Sequence, residues 1–196
     1  MTELVRLETG RLILRPWREE DRAPFAALNA DPRVAAHLAG VLDRAGSDAI
    51  VDRVLKGFAE HGHGPWALEV KGGAPFIGFC GIWQPSFAAH FTPCTEVGWR
   101  LAFEAWGNGY ATESAAAALD YGFGPLGLAE IVAYTTPVNL RSRRVMERLG
   151  MTHDPADDFE RPPLSDGAPA CPHVLYRMRA AEWHTRRALP EAPQEG

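Results

Sequence analysis

Trp106-Gly107-Asn108-Gly109-Tyr110-Ala111-Thr112-Glu113 is the stretch on which the fold turns. Ahead of it, Thr95 to Leu101 reads as a strand; behind it, Ser114 to Tyr121 is a strongly helical run that extends to Phe123. Glycines in a strand-to-helix turn let the backbone approach a ligand with no Cβ in the way. The helix start behind them offers unpaired N–H groups and the positive end of the helix dipole, which together suit a phosphate.

Working outward, Ala115, Ala118, Leu119 and Gly122 keep one face of that helix small, so it can lie close on a sheet. Gly122, Gly124-Pro125 and Gly127 end it, and Ile131 to Thr135 is a β-branched strand. Asn139 leads into a helix from Leu140 to Leu149, closed by Gly150. Toward the N-terminus, Trp66–Val70 and Phe76–Trp83 read as strands joined by the turn Lys71-Gly72-Gly73. Gln84 to Cys94 is an aromatic loop whose Phe87 and Phe91 either cover a pocket or pack on the adjacent strands. Ser47 is placed to cap a helix carrying Ile50, Val54, Leu55 and Phe58. Before it, Glu19-Glu20-Asp21 starts a helical stretch that Pro32 breaks in two, and Arg11 to Arg15 is a first strand. After Gly150, Asp154 to Pro172 is a polar, proline-rich insertion, and His173 to Met178 is a last strand. The order predicts one α/β (α+β) domain over residues 1–180, followed over 181–196 by a short basic segment and a disordered tail.

At 196 residues, the chain is long enough for a full core in one domain. A formal net charge of −5 argues against a general nucleic-acid binder. No apolar run reaches membrane-spanning length and no signal segment is evident, which gives a cytoplasmic expectation with no membrane partner. Three cysteines at unremarkable spacings and the His61-Gly62-His63 and Cys171-Pro172-His173 runs lack the ligand pairing of a zinc site, so no metal is expected.

The glycine turn fails as a nucleotide-triphosphate loop, because no Lys-Ser/Thr pair follows the second glycine. It fits a dinucleotide loop poorly, since Thr112 stands where a third glycine belongs and Glu130 precedes the next strand rather than ending it. Trp106-x-x-Gly109-x-Ala111 instead resembles motif A of the GNAT N-acetyltransferases, Gln/Arg-x-x-Gly-x-Gly/Ala. The Trp106–Glu113 spelling resembles the RimJ/RimL branch of that family. So does the opening strand Thr9–Trp17, and Asn139–Ser142 through Leu149-Gly150-Met151 is similar to its motif B helix.

The resemblance implies the GNAT acyl-CoA N-acyltransferase fold, with a mixed, mostly antiparallel sheet flanked by helices. It implies acetyl-CoA as cosubstrate and transfer to a primary amine, of a small molecule or a protein N-terminus, by direct attack; a homodimer is compatible with it. Gly107, Asn108, Gly109, Tyr110, Ala111 and Thr112 would hold the pyrophosphate through backbone N–H groups. Trp99 and Leu101 would pair with the pantetheine arm as one strand pairs with a sheet edge. Glu96 is the expected base for the ammonium proton, with a strand-edge ion pair as its other reading. The tyrosine acid common in the family maps onto Met146; the RimL-like serine maps onto Ser142, with Asn139 binding pantetheine or ordering the helix end. An N-cap explains Asn139 and Ser142 without catalysis. The rival functions are a catalytically idle acyl-CoA-binding module and a partner-binding module.

Overall fold

The computed structural model describes residues 4–38, 40–162 and 170–188. Strands β1 (Leu7–Glu8), β2 (Leu12–Arg15), β3 (Pro65–Val70), β4 (Gly78–Trp83) and β5 (Glu96–Leu101) form an antiparallel run in chain order. Helices α1 (Arg22–Ala30), α2 (Pro32–Ala35) and α3 (Arg44–His61) lie between β2 and β3. Pro32 does separate two helices, because a proline cannot donate to the preceding turn and fits a new first turn instead.

After β5 comes α4 (Tyr110–Phe123), then β6 (Glu130–Thr135), α5 (Leu140–Leu149), β7 (Thr152–His153), β8 (Phe159–Arg161), β9 (Cys171–Arg179) and α6 (Ala180–Ala188). The C-terminal half of the sheet is built on β9, which pairs antiparallel with β6, β7 and β8. The two halves meet through the single parallel pair Glu96↔Val132 between β5 and β6. This is the mixed, mostly antiparallel sheet flanked by helices that the resemblance implies.

Helix α4 lies on one face of the sheet through fully buried Ala115, Ala118 and Leu119. At Gly122 an added Cβ would stand 2.5 Å from Ile131 Cδ1, so the small face allows the close approach. On the opposite face Phe25 of α1 meets the rings of Trp17 and Phe79 edge-on, at 5.0 and 5.8 Å.

Three expectations are corrected. Helix α3 starts at Arg44 under an Asp43 cap, and Ser47 is instead a buried acceptor for Asn29 Nδ2 at 2.9 Å. The Asp154–Pro172 insertion carries structure at both ends: a 3₁₀ turn (Pro155–Asp157), β8, and the start of β9. Residues 163–169 of it lie outside the described residues, as do 189–196 of the expected tail. The basic segment after residue 180 is helix α6, whose buried Trp183 donates to Asp120 Oδ1 at 2.8 Å.

Candidate functional site

Strands β5 and β6 diverge directly after Glu96↔Val132, and the ladder shows which backbone groups the gap exposes. The Ala102 N–H bonds the Ile77 carbonyl, so alternation turns Arg100, Gly98 and Glu96 toward β4. Val97, Trp99 and Leu101 then present N–H and C=O to the open side. The Leu101 carbonyl accepts from Trp106 Nε1 at 3.0 Å, while Trp99 has no ladder partner on that side. An interior sheet edge left open in this way is built to receive an extended chain.

The far end of this edge leads to the glycine turn. Gly107 and Gly109 have φ of +78° and +77°, the left-handed region in which a side chain is strained. Gly109 is the N-cap of α4 and no side chain caps that helix, which leaves its first-turn N–H groups facing out. Asn108 donates to the Ala105 and Trp106 carbonyls, fixing the turn from within. Arg141 of α5 stacks on the Trp106 ring with Cζ 4.4 Å from its centroid, closing the turn from the other wall. Tyr110, Ala111 and Thr112 form the first turn of α4. The gap and the uncapped turn together fit an extended acyl carrier ending in a phosphate group.

Glu113 anchors this helix start. Its Oε1 accepts from Thr9 Oγ1 at 2.6 Å and the Arg11 N–H at 2.9 Å, and its Oε2 from Arg11 Nε at 2.7 Å. Burial pulls its pKa up, but the hydrogen bonds from Thr9 and Arg11 outweigh it and the net shift is downward. The motif thus ties the turn to the β1–β2 hairpin, a link that sequence spacing does not reveal. Glu113→Ala is expected to lose about 2 kcal/mol, lowering Tm by roughly 4–8 °C in a thermal melt at neutral pH.

At the point where the strands part, Glu96 is 7% exposed. Tyr134 Oη donates to Glu96 Oε2 across the gap. Burial pushes the Glu96 carboxyl up to about 7, against the opposing pull of the Tyr134 hydroxyl and the Arg161 charge. Among the described residues it makes no ion pair within 4.0 Å. Trp83, its cross-strand neighbour, lies over Gly98, where an added Cβ would be 2.4 Å from the indole.

Around Glu96 and Tyr134 stands an aromatic box. Phe87 and Phe91 of the 84–94 loop contact Tyr134 at 5.7 and 6.2 Å between centroids, and Phe159 of β8 contacts all three. His173 closes it at 5.9 Å from Tyr134. The loop aromatics therefore pack on Tyr134 of β6 and Phe159 of β8. Sequence alone gives Tyr134 a core or cleft-lining place and gives Phe159 and Arg161 none.

On the other wall, Asn139 is a working N-cap: its Oδ1 accepts the Ser142 N–H at 3.3 Å. Its Nδ2 donates to Thr135 Oγ1 at 2.9 Å and to Ser142 Oγ at 3.1 Å, so Asn139 fixes the Ser142 hydroxyl at the head of α5. Met146, in the place of the common tyrosine, is 2% exposed and packs in the core. Arg143 and Glu147 meet through the Tyr176 hydroxyl, to which Arg143 donates at 3.2 Å and which donates to Glu147 at 3.1 Å. No helix among the described residues is long and apolar enough to cross a membrane.

The chain is similar to known proteins over most of its length. The chain is 35% identical over 152 residues to an uncharacterized protein, YkkB, of Bacillus subtilis, covering 77% of this chain and 87% of that one. It is 32% identical over 189 residues to the FsC-acetyl coenzyme A-N(2)-transacetylase of Aspergillus fumigatus, covering 90% and 77% respectively. The crystal structure of an acetyltransferase from Agrobacterium tumefaciens superposes with a TM-score of 0.74 at 31% identity, covering 90% of this chain and 95% of that one. Residues 11–152 match the acetyltransferase (GNAT) domain family, and the chain is a member of that family: an acetyl-CoA-dependent acyltransferase.

Proposed function

We propose that this acyltransferase acetylates a primary amine, with Glu96 as the base and Ser142 as the hydrogen-bond donor to the departing sulfur. The observation that carries the reading is a lone buried carboxylate at the point where β5 and β6 part, its pKa held near 7. A base poised near neutrality is the one that removes an ammonium proton most effectively at working pH.

When bound, acetyl-CoA supplies an acetyl thioester. Backbone N–H groups from Gly107 to Thr112 hold its pyrophosphate, and the open edge at Trp99 and Leu101 aligns its arm. Glu96 Oε1 or Oε2 takes the proton of the incoming ammonium, directly or through a water, leaving a lone pair free for attack on the carbonyl carbon. Tyr134 fixes that carboxylate by donating to Oε2. The Ser142 hydroxyl already accepts from Asn139, which leaves its own proton available to the leaving sulfur. Glu96 and the glycine turn flank opposite ends of β5, roughly 16 Å apart along the strand. Holding both reactants in this frame supplies a large part of the rate, on the order of 7–11 kcal/mol in favourable cases. The spelling of the glycine turn and of the opening strand supports a RimJ/RimL-like assignment within the family, with the reaction in the cytoplasm.

The test is thiol release from acetyl-CoA against amino acids, polyamines and N-terminal peptides, beside calorimetric binding of CoA. Turnover with any amine class supports the reading; tight CoA binding without turnover on any amine favours an acyl-CoA-binding module. In the same assay Ser142→Ala is expected to lower kcat about 10–100-fold, the worth of one hydrogen bond to a charged atom, with CoA affinity kept. Unchanged turnover removes Ser142 from the mechanism.

A further inference from the structure

We propose that Arg161 selects acceptors that carry a carboxylate beside the amine, amino acids foremost among them, by pairing with that carboxylate inside the aromatic box. The inference rests on the acetyltransfer reading above and adds the acceptor class to it.

Arg161 lies on β8 with its guanidinium carbon 5.6 Å from the Phe87 ring centroid and 5.7 Å from that of Tyr134. It pairs with no carboxylate among the described residues, and its Nε is buried without a hydrogen-bond partner. A guanidinium set against aromatic faces, with its buried Nε–H left unused, is costly unless a ligand completes it. It is near enough to Glu96 to pull on its proton, yet forms no ion pair with it within 4.0 Å. Arg161 is thus held close to the base while the base remains free for the amine.

A second cation faces the same way. Arg100 stands four residues along β5 from Glu96, on the same side of the strand, and donates to neutral Asn29 Oδ1 at 2.6 Å. Burial, and then the charge of Arg161, lower its pKa to about 10. Burial also lowers the pKa of His173, keeping that ring neutral. The Arg161 charge thus acts on both Glu96 and Arg100, two guanidiniums near one carboxylate.

An amine with a nearby carboxylate balances this arrangement: its ammonium meets Glu96 and its carboxylate meets the planar fork of Arg161, which matches two oxygens at once. A polyamine brings a second cation into a site already in surplus. A neutral amide leaves Arg161 unpaired. Sites built around a buried polar partner reject ligands lacking it more strongly than apolar sites reject a change of shape.

The test compares the common L-amino acids with their amides as acceptors for wild type, Arg161→Gln and Arg161→Lys. In parallel, calorimetry measures binding of N-acetylphenylalanine and N-acetylglycine against their amides in the presence of CoA. In wild type, kcat/KM for an accepted amino acid is expected to exceed that of its amide about 100-fold. Read at pH 9, where Glu96 is ionised with or without the Arg161 charge, Arg161→Gln closes that gap by raising KM for the acid more than for the amide, with KM for acetyl-CoA kept; Arg161→Lys restores part of it. The calorimetric arm shows the same preference with no turnover. Equal use of acid and amide by wild type, or equal weakening of both in Arg161→Gln, overturns the proposal and leaves Arg161 a packing role against Phe87 and Tyr134. If no amine of any class is acetylated, the acetyltransfer reading fails by itself, and the calorimetric arm still decides whether Arg161 captures a carboxylate.

Discussion

Glu96→Gln is expected to lower turnover about 10²–10⁴-fold while acetyl-CoA binding stays intact, because only the proton acceptor is removed. Gln is close in size and still accepts from Tyr134, so the box keeps its shape. For wild type, the carboxyl must be ionised to accept a proton, so kcat is expected to rise with pH through about 7 and level above it. That limb disappears in Glu96→Gln. The same residue gives a stability signature of opposite sign. Its folded pKa lies above the ordinary 4.5, so the folded state holds the proton more tightly between 4.5 and 7 and stability falls as pH rises through that window. Above pH 7 Glu96→Gln is therefore expected to be the more stable protein, by on the order of 3 kcal/mol, and below pH 4.5 the gain vanishes. A variant both slower and firmer at pH 8 marks a carboxylate kept buried for its chemistry. Denaturant titrations at pH 8 and pH 4 beside stopped-time thiol assays check both halves. An inactive but no more stable variant would contradict the burial argument.

The second large effect lies away from the site. Asp21→Ala is expected to cost about 3–5 kcal/mol, read as a lowered urea midpoint by circular dichroism. Arg15 and Asp21 side chains are 4% and 3% exposed and meet through two bonds of 2.8 and 2.9 Å. Asp21 Oδ2 also accepts the Arg18 N–H, holding the turn that leads into α1. Removing the carboxylate leaves a buried guanidinium with Glu69 and the Pro16 and Pro75 carbonyls alone. The double change Arg15→Met with Asp21→Leu is expected to recover most of the loss, since an apolar pair of like volume has no buried charge to satisfy. Without that recovery, Asp21 would be acting through its turn rather than through the ion pair.

Much of this architecture is legible in the residues themselves. The strands from β2 to β6 follow β-branched and aromatic runs, and α5 ends on Gly150, whose φ of +81° favours glycine. The glycine turn and the start of α4 are legible too, because they depend only on residues close in sequence. The start of α3 is not, since Asp43 and Ser47 are both good caps and the choice is made by Asn29, which takes Ser47 into the core. Strands β7 and β8 are too short and polar to carry a period of their own and exist because β9 offers them an edge. The aromatic cluster is less legible: Glu96 is expected from the resemblance, but Trp83, Tyr134, Arg161 and His173 join it from β4, β6, β8 and β9, and no spacing relates them.

The place of β9 in the sheet bears on how the molecule comes into being. β6 has an open edge until β9 pairs with it over six residues, from Glu130↔Arg179 to Thr135↔Val174. As the chain is synthesised, β1 through β5 can pair in the order they emerge, each with its predecessor. The half that carries Tyr134 and the head of α5 must wait for a strand made after both. An unpaired, apolar strand edge is the hazard of that interval. Folding that ends on a long-range pairing is slow. Growth temperature and chaperone supply should therefore govern the yield of soluble protein more than the thermal stability of the finished fold does.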